Sequence, residues 1–223
     1  VKTFQSNSAK DSLASEGSNC SVVVEGALAG DYHLICDSNK LVRIQLEKGS
    51  GAIKAKSSVA VDGGRTCSDL AVSKAEVDTV YALCANDTKL FILKYNSSTM
   101  TITSTKTLDQ SAALATSNVL KLVLSENEGK TQFFIHGFDS KKGANPAILN
   151  FSGAVEAPKA TFVDLEVNDK TTLYGMWADQ SGQLYVILRD SSDEKKTSNV
   201  MRKCTLTPEP SCNGTKIELG EGV

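Results

Sequence analysis

The sequence predicts an all-β protein built from four antiparallel, four-stranded repeats of about fifty residues each. Three observations carry this. Apolar runs alternate with a period of two, turn-forming clusters recur every eight to twelve residues, and the chain resembles itself at an offset of 47 to 49 residues.

The alternation is clearest in Leu41-Val-Arg-Ile-Gln-Leu46, where every second side chain is positioned for a core and the others for water. Ser21-Val-Val-Val24 and Tyr32-His-Leu-Ile-Cys36 are runs of the same kind, punctuated by Asp37-Ser-Asn39 and Asp62-Gly-Gly64. Helical periodicity is confined to Ser111–Ala115 and part of Ser68–Glu76, each enough for one turn.

The first repeat leads from Cys20 through a strand ending at Cys36 to Lys40-Leu-Val-Arg-Ile44. The second copies it: Cys67-Ser-Asp-Leu-Ala-Val72, then Thr79-Val-Tyr-Ala-Leu-Cys84, then Lys89-Leu-Phe-Ile-Leu93. A third lacks cysteines but keeps the rhythm through Leu120–Leu124, Gln132–His136 and Ala147–Phe151. The fourth runs through Thr172–Trp177, Leu184–Leu188 and Val200–Cys204. One domain, 1–223, thus divides into repeats at 13–61, 62–110, 111–165 and 166–223.

Six cysteines allow 15 pairings, and spacing alone does not choose among them. The repeat does. In both cysteine-bearing copies one cysteine opens the first strand and the other closes the second, and antiparallel neighbours place such ends side by side within disulfide reach. Cys20–Cys36 and Cys67–Cys84 follow, leaving Cys204–Cys212 as a third local pair. Each of the first two closes a loop of about 15 residues, worth about 3 kcal/mol in the chain-entropy model.

Four strands per fifty-residue unit is the period of propeller blades. Asp179-Gln-Ser-Gly-Gln-Leu-Tyr185 resembles the D-x-x-G-x-x-Y hairpin between inner strands of many such blades. Over nearly its whole length the chain resembles the β-propeller superfamily. It carries no Trp-Asp, double-glycine Kelch or sialidase Asp-box signature, so no subfamily is singled out. The resemblance implies a small closed ring of four blades or part of a larger ring of up to eight, with Lys2-Thr-Phe4 as a candidate closing strand. A β-sandwich is the alternative architecture.

A formal charge of -2 provides no basic face for nucleic acid. The doublets Lys141-Lys142 and Lys195-Lys196 read as solvated loops. No apolar run approaches the roughly 20 residues of a membrane-spanning helix. The sequence opens at Val1 without a methionine or a signal-like segment, which fits either a removed leader or an excised piece. Five sequons occur, at Asn19, Asn86, Asn96, Asn150 and Asn213, where 12 asparagines would supply roughly two by chance. All five are read as lying in turns or beside strand ends, where a glycan fits. With an even cysteine count they point to a secreted, extracellular or lumenal glycoprotein.

No catalytic, cofactor or metal set emerges. His33 and His136, the only two histidines, sit in strands and read as hydrogen-bonded core or edge residues, and no zinc spacing exists. Trp177 reads as packing between repeats, with a sugar-stacking platform as the alternative. Asp69, Glu126, Asp139, Asp164 and Asp179 fall at strand–loop junctions, but nothing pairs them as glycoside cleavage requires. Asp190-Ser-Ser-Asp-Glu194 reads as an acidic solvated loop rather than a calcium site. Neither a P-loop nor a G-x-S-x-G elbow occurs. The leading functional expectation is a non-enzymatic interaction or structural module. Its partners would be other proteins, including further blades or subunits of an extracellular assembly. The alternative is a carbohydrate-active or lectin-like propeller with its site at the pore mouth.

Overall fold

The computed structural model describes residues 19–108, 114–115, 120–127, 130–139, 146–152, 161–165, 167–168, 170–179, 181–193, 196–205 and 211–221. These residues form seventeen strands and no helix. The first sheet is a meander of β1 (Cys20–Glu25), β2 (Asp31–Cys36), β3 (Lys40–Leu46) and β4 (Ile53–Ala60). The second is β5 (Thr66–Val72), β6 (Thr79–Ala85), β7 (Leu90–Asn96) and β8 (Thr101–Leu108). In the third, β9 (Leu114–Ala115) pairs with β11 beside the meander β10 (Lys121–Asn127), β11 (Lys130–Asp139), β12 (Pro146–Ser152) and β13 (Thr161–Val163). The fourth is β14 (Thr171–Ala178), β15 (Leu184–Asp193), β16 (Lys196–Lys203) and β17 (Lys216–Glu221). Neighbours within each meander follow chain order and run antiparallel, without the strand exchange between sheets that a Greek-key sandwich needs.

Two sequence expectations are corrected here. Of the two supposed helical turns, Leu114–Ala115 belong to β9 and Ser68–Val72 to β5, while Ser73–Glu76 form a bend after β5. There the cross-strand pairs to β11 and β6 supply the backbone hydrogen bonds that a lone helical turn cannot. The acidic stretch Asp190–Asp193 is likewise not a loop. It continues β15, with Asp190 opposite Ser198 and Asp193 opposite Lys196. Lys2–Phe4, Lys141, Lys142, Glu194 and Lys195 lie outside the described residues.

Residue proximity groups the chain into two units, residues up to Asn86 with Ile92–Thr105, and Asp87–Phe91 with the residues from Lys106 onward. In the first unit, β2 buries both faces while β4 is largely exposed and carries Lys54 and Lys56 along its free edge. One face of the first sheet gathers Leu34, Cys36, Val42 and Ile44. The other face turns to the second sheet through His33, whose ring meets the edge of Tyr95 at 6.1 Å. A backbone bond ties the two sheets, Cys67 N–H to Ser38 O at 2.6 Å, beside Val61 N–H to Asn39 O at 2.7 Å, which extends the β3–β4 ladder. Asp37 and Ser38 make that approach with positive φ values of 52° and 61°, a tight reversal in which Asp tolerates the left-handed region.

The disulfides are Cys20–Cys36, Cys67–Cys84 and Cys204–Cys212, and no cysteine is free. The first two join residues directly opposite each other on adjacent strands, each followed at once by a β-bulge. Direct opposition brings their Cα atoms to 3.9 and 3.8 Å, closer than the usual disulfide span. Three disulfides fit an oxidising environment.

In the second unit, Phe134, Ile148 and Val163 of the third sheet pack on Leu173, Val186 and Leu188 of the fourth, with the Cys204–Cys212 disulfide in the same core. The β14–β15 turn locks this packing. Gly182 has φ +80°, and a Cβ there would stand 2.7 Å from Ser125 Oγ and 3.0 Å from Asn127 Cβ. Instead the Ser125 hydroxyl donates to Gly182 O at 2.7 Å. Gly182→Ala is therefore expected to destabilise the protein by on the order of 2 kcal/mol, through left-handed strain and the displaced serine. A urea midpoint equal to that of the unmodified protein would contradict this.

Candidate functional site

The site is built on the Asp179–Tyr185 hairpin. Asp179 Oδ1 accepts hydrogen bonds from Ser181 N at 2.8 Å, Ser181 Oγ at 2.6 Å and Gln183 N at 3.0 Å, while Gly182 N–H closes the turn on Asp179 O at 3.1 Å. The Ser181 hydroxyl first, then these amides and the Tyr185 hydroxyl, hold the Asp179 carboxyl below the usual range. The three defining positions of the motif divide the work: Asp organises the amides, Gly supplies the left-handed turn, and Tyr caps the carboxylate.

Beside this turn opens a cleft of about 430 Å³ at the ends of the third and fourth sheets. Ser125, Asn127 and Gln132 line it from β10 and β11, Ser181 and Gln183 from the turn, and Lys203, Thr205 and Thr215 from the ends of β16 and β17. Some of this hydrogen-bonding capacity is spent internally. Ser125 bonds Gly182, Ser181 bonds Asp179, and the Gln183 amide donates to Leu184 O and Cys204 O. Among the described residues, the side chains of Asn127, Gln132, Lys203, Thr205 and Thr215 make no hydrogen bond. They present amides, hydroxyls and one ammonium to a ligand, and no carboxylate lines the cleft among the described residues.

Lys203 also ends a cross-strand row, Trp177 opposite Tyr185 and Tyr185 opposite Lys203. The two rings stack at 5.5 Å with an interplanar angle of 14°. The sequence reading of Trp177 as packing between repeats is corrected: 37% of it is exposed. The bulge between Leu173 and Gly175 shifts the strand's alternation by one residue, and the core positions of the row are filled by Leu173, Val186 and Leu188.

No family model matches this sequence, and no curated protein matches it. Solved structures do. One is the holo form of the PQQ domain of a pyranose dehydrogenase from Coprinopsis cinerea, with a TM-score of 0.54 and 14% identity, matching 90% of this chain and 47% of that one. Another is a GH43 β-1,3-galactosidase with galactodeoxynojirimycin, with a TM-score of 0.52 and 9% identity, matching 91% of this chain and 75% of that one. Both are β-propeller proteins. The fold is a propeller fold, and each four-stranded sheet is a blade. This chain spans about half the length of the pyranose dehydrogenase domain it matches.

The remaining residues singled out from the sequence are dispersed over the blades. Asp69 is buried in β5 and Glu126 lies in β10. Asp164 accepts the Asn213 amide at 2.6 Å. Asp139 ends β11. No group of three or more His, Cys, Asp or Glu that would hold a metal ion occurs among the described residues. Of the sequons, Asn19 is exposed ahead of β1, Asn86 follows β6, and Asn96 ends β7 with its Oδ1 accepting from Ser98 N and Thr99 N. Asn150 departs from the expected polar turn or strand end. It lies within β12 between Phe134 and Thr161, 7% exposed, because β13 pairs with β12 along this stretch.

Sequence reasoning missed a buried polar cluster in the first unit. Arg43 Nε donates to Asp31 Oδ1 at 2.7 Å and Arg43 Nη1 to Ser97 O at 3.1 Å, joining the first blade to the turn after β7. His33, 1% exposed, stands 3.7 Å from Asp31, and Gly26 has no room for a Cβ against either. Burial pushes the His33 imidazole below its ordinary value, outweighing the Asp31 carboxylate, and raises the Tyr95 hydroxyl. Burial, then Lys121, takes His136 down to about 4. An unfolded chain takes up protons on both histidines near pH 6.5, while the folded chain resists until lower pH. Stability is therefore present above about pH 6.5 and is lost as pH falls towards about 4. Urea midpoints measured from pH 7.5 to 4 should fall over this window, with His136→Phe flattening part of the slope. A flat profile in the unmodified protein would contradict the assignment.

Proposed function

We propose that this chain is a secreted, N-glycosylated propeller module that binds carbohydrate at the cleft between the third and fourth blades without cleaving it. The observation that carries the reading is the cleft itself, whose unspent amides and hydroxyls match the hydroxyls of a sugar ring. Cleavage by the usual route needs two carboxylates flanking one bond, and the described lining has none. Two of the similar structures are named for sugar chemistry, one a pyranose dehydrogenase domain and the other a β-1,3-galactosidase. The protein-interaction reading is weakened by the sequons. Asn86 sits at the disulfide end of the second blade and Asn96 at its opposite end, so occupied sites would leave neither end of that blade bare.

Titration calorimetry against a panel of neutral and acidic oligosaccharides tests the proposal. At least one saccharide is expected to bind, and Asn127→Trp, which crowds the cleft from an exposed strand end, is expected to abolish binding without unfolding the protein. Binding unchanged in that variant would rule out the cleft as the site.

For glycosylation, we propose occupancy at Asn19, Asn86 and Asn96. Asn150 and Asn213 should be bare, the first because it is buried within a strand, the second because its amide is tied to Asp164. Enzymatic glycan removal with peptide mapping should convert three asparagines to aspartates. Sugar on Asn150 in the folded protein would contradict the placement of β12.

A further inference from the structure

We infer that the saccharide bound at this cleft is acidic, a uronic acid or sulfated sugar whose anion meets Lys203. The inference rests on the carbohydrate reading above and names its ligand class. Lys203 is the one charged residue in the described lining, and its ammonium has no ion pair or hydrogen bond among the described residues. The nearby acid of the hairpin, Asp179, is already committed to Ser181, Gln183 and Tyr185. Among the described residues, a cation without an ion pair beside neutral donors and no uncommitted carboxylate selects for an anionic group, since a charge-assisted hydrogen bond is about twice as strong as a neutral one.

The surroundings of Lys203 fit a sugar rather than a free inorganic anion. Lys203 belongs both to the cleft and to the row that continues through Tyr185 and Trp177. The stacked rings offer a flat apolar face for the C–H side of a pyranose, while Asn127 and Gln132 donate and accept from the cleft side. An ammonium at the junction of these two surfaces is placed for a carboxylate or sulfate carried on the ring they hold.

Calorimetry of the full chain with tri-galacturonate and the matched neutral tri-galactoside, at about 20 mM and about 500 mM salt, tests this. The acidic sugar is expected to bind about tenfold or more tightly at low salt, and the gap should shrink at high salt. Lys203→Gln is expected to remove the preference and Lys203→Arg to retain it, with both variants melting like the unmodified protein because Lys203 is exposed. Equal binding of the two sugars, or a preference that survives Lys203→Gln, overturns the assignment of charge while leaving the carbohydrate reading intact. Failure of every saccharide to bind overturns that reading and this inference with it.

Discussion

The structure depends on burying both faces of its middle strands. In β2, β6 and β7 nearly every side chain is shielded; apolar residues fill both sides of the sheet in β6 and β7, while β2 buries Asp31 and His33 on one side and apolar residues on the other. A four-stranded sheet with two apolar faces is not stable alone in water, so each must stack on a neighbour. The outer strands are released from this demand, and β4 and β8 are accordingly polar and exposed. Stacking also dictates where backbone must approach backbone or side chain, at Ser38, Gly182 and Gly26, and those contacts are where the chain uses left-handed turns or omits a Cβ.

The cleft is a by-product of this stacking. Two blades that pack through Phe134, Ile148, Leu173 and Val186 diverge at their ends, where the hairpins are polar. The Ser125–Gly182 bond marks the border between apolar packing and open cleft. A rigid turn, fixed by Asp179 and the motif around it, thereby holds one wall of the site in place. In the same blade, the shifted alternation of β14 puts Trp177 and Tyr185 together outside the core.

Architecture was legible because it rests on local signals. Alternation, turn clusters and the paired cysteines of the first two repeats each act within a few residues, and they led to the strands, the sheet order and the three disulfides. Trp177 was misjudged because a bulge at Tyr174 reverses the alternation, and bulges leave no reliable mark in a single sequence. Asn150 was misplaced because its neighbours, Asn150-Phe-Ser152, read as a strand end although pairing with β13 carries the strand past it. The buried cluster was marked in the sequence only by His33, read as a core or edge histidine, and the cleft only by the Asp179–Tyr185 motif. Ser125, Lys203 and Thr215 come from segments far apart in the chain, as do Asp31, Arg43 and Ser97. That motif marked the turn and Tyr185, and none of the cleft residues contributed by β10, β11, β16 and β17.

A sugar that occupies the cleft at the ends of the third and fourth blades must shield all of its walls at once. Hydrogen–deuterium exchange of the intact chain, with and without saturating oligogalacturonate, locates the occupant directly. Slowed exchange is expected in three separate segments, 125–132, 181–184 and 203–215, with the first unit unchanged. Protection confined to any one of these segments, or appearing instead around β2 and β7, would contradict a sugar seated in the cleft.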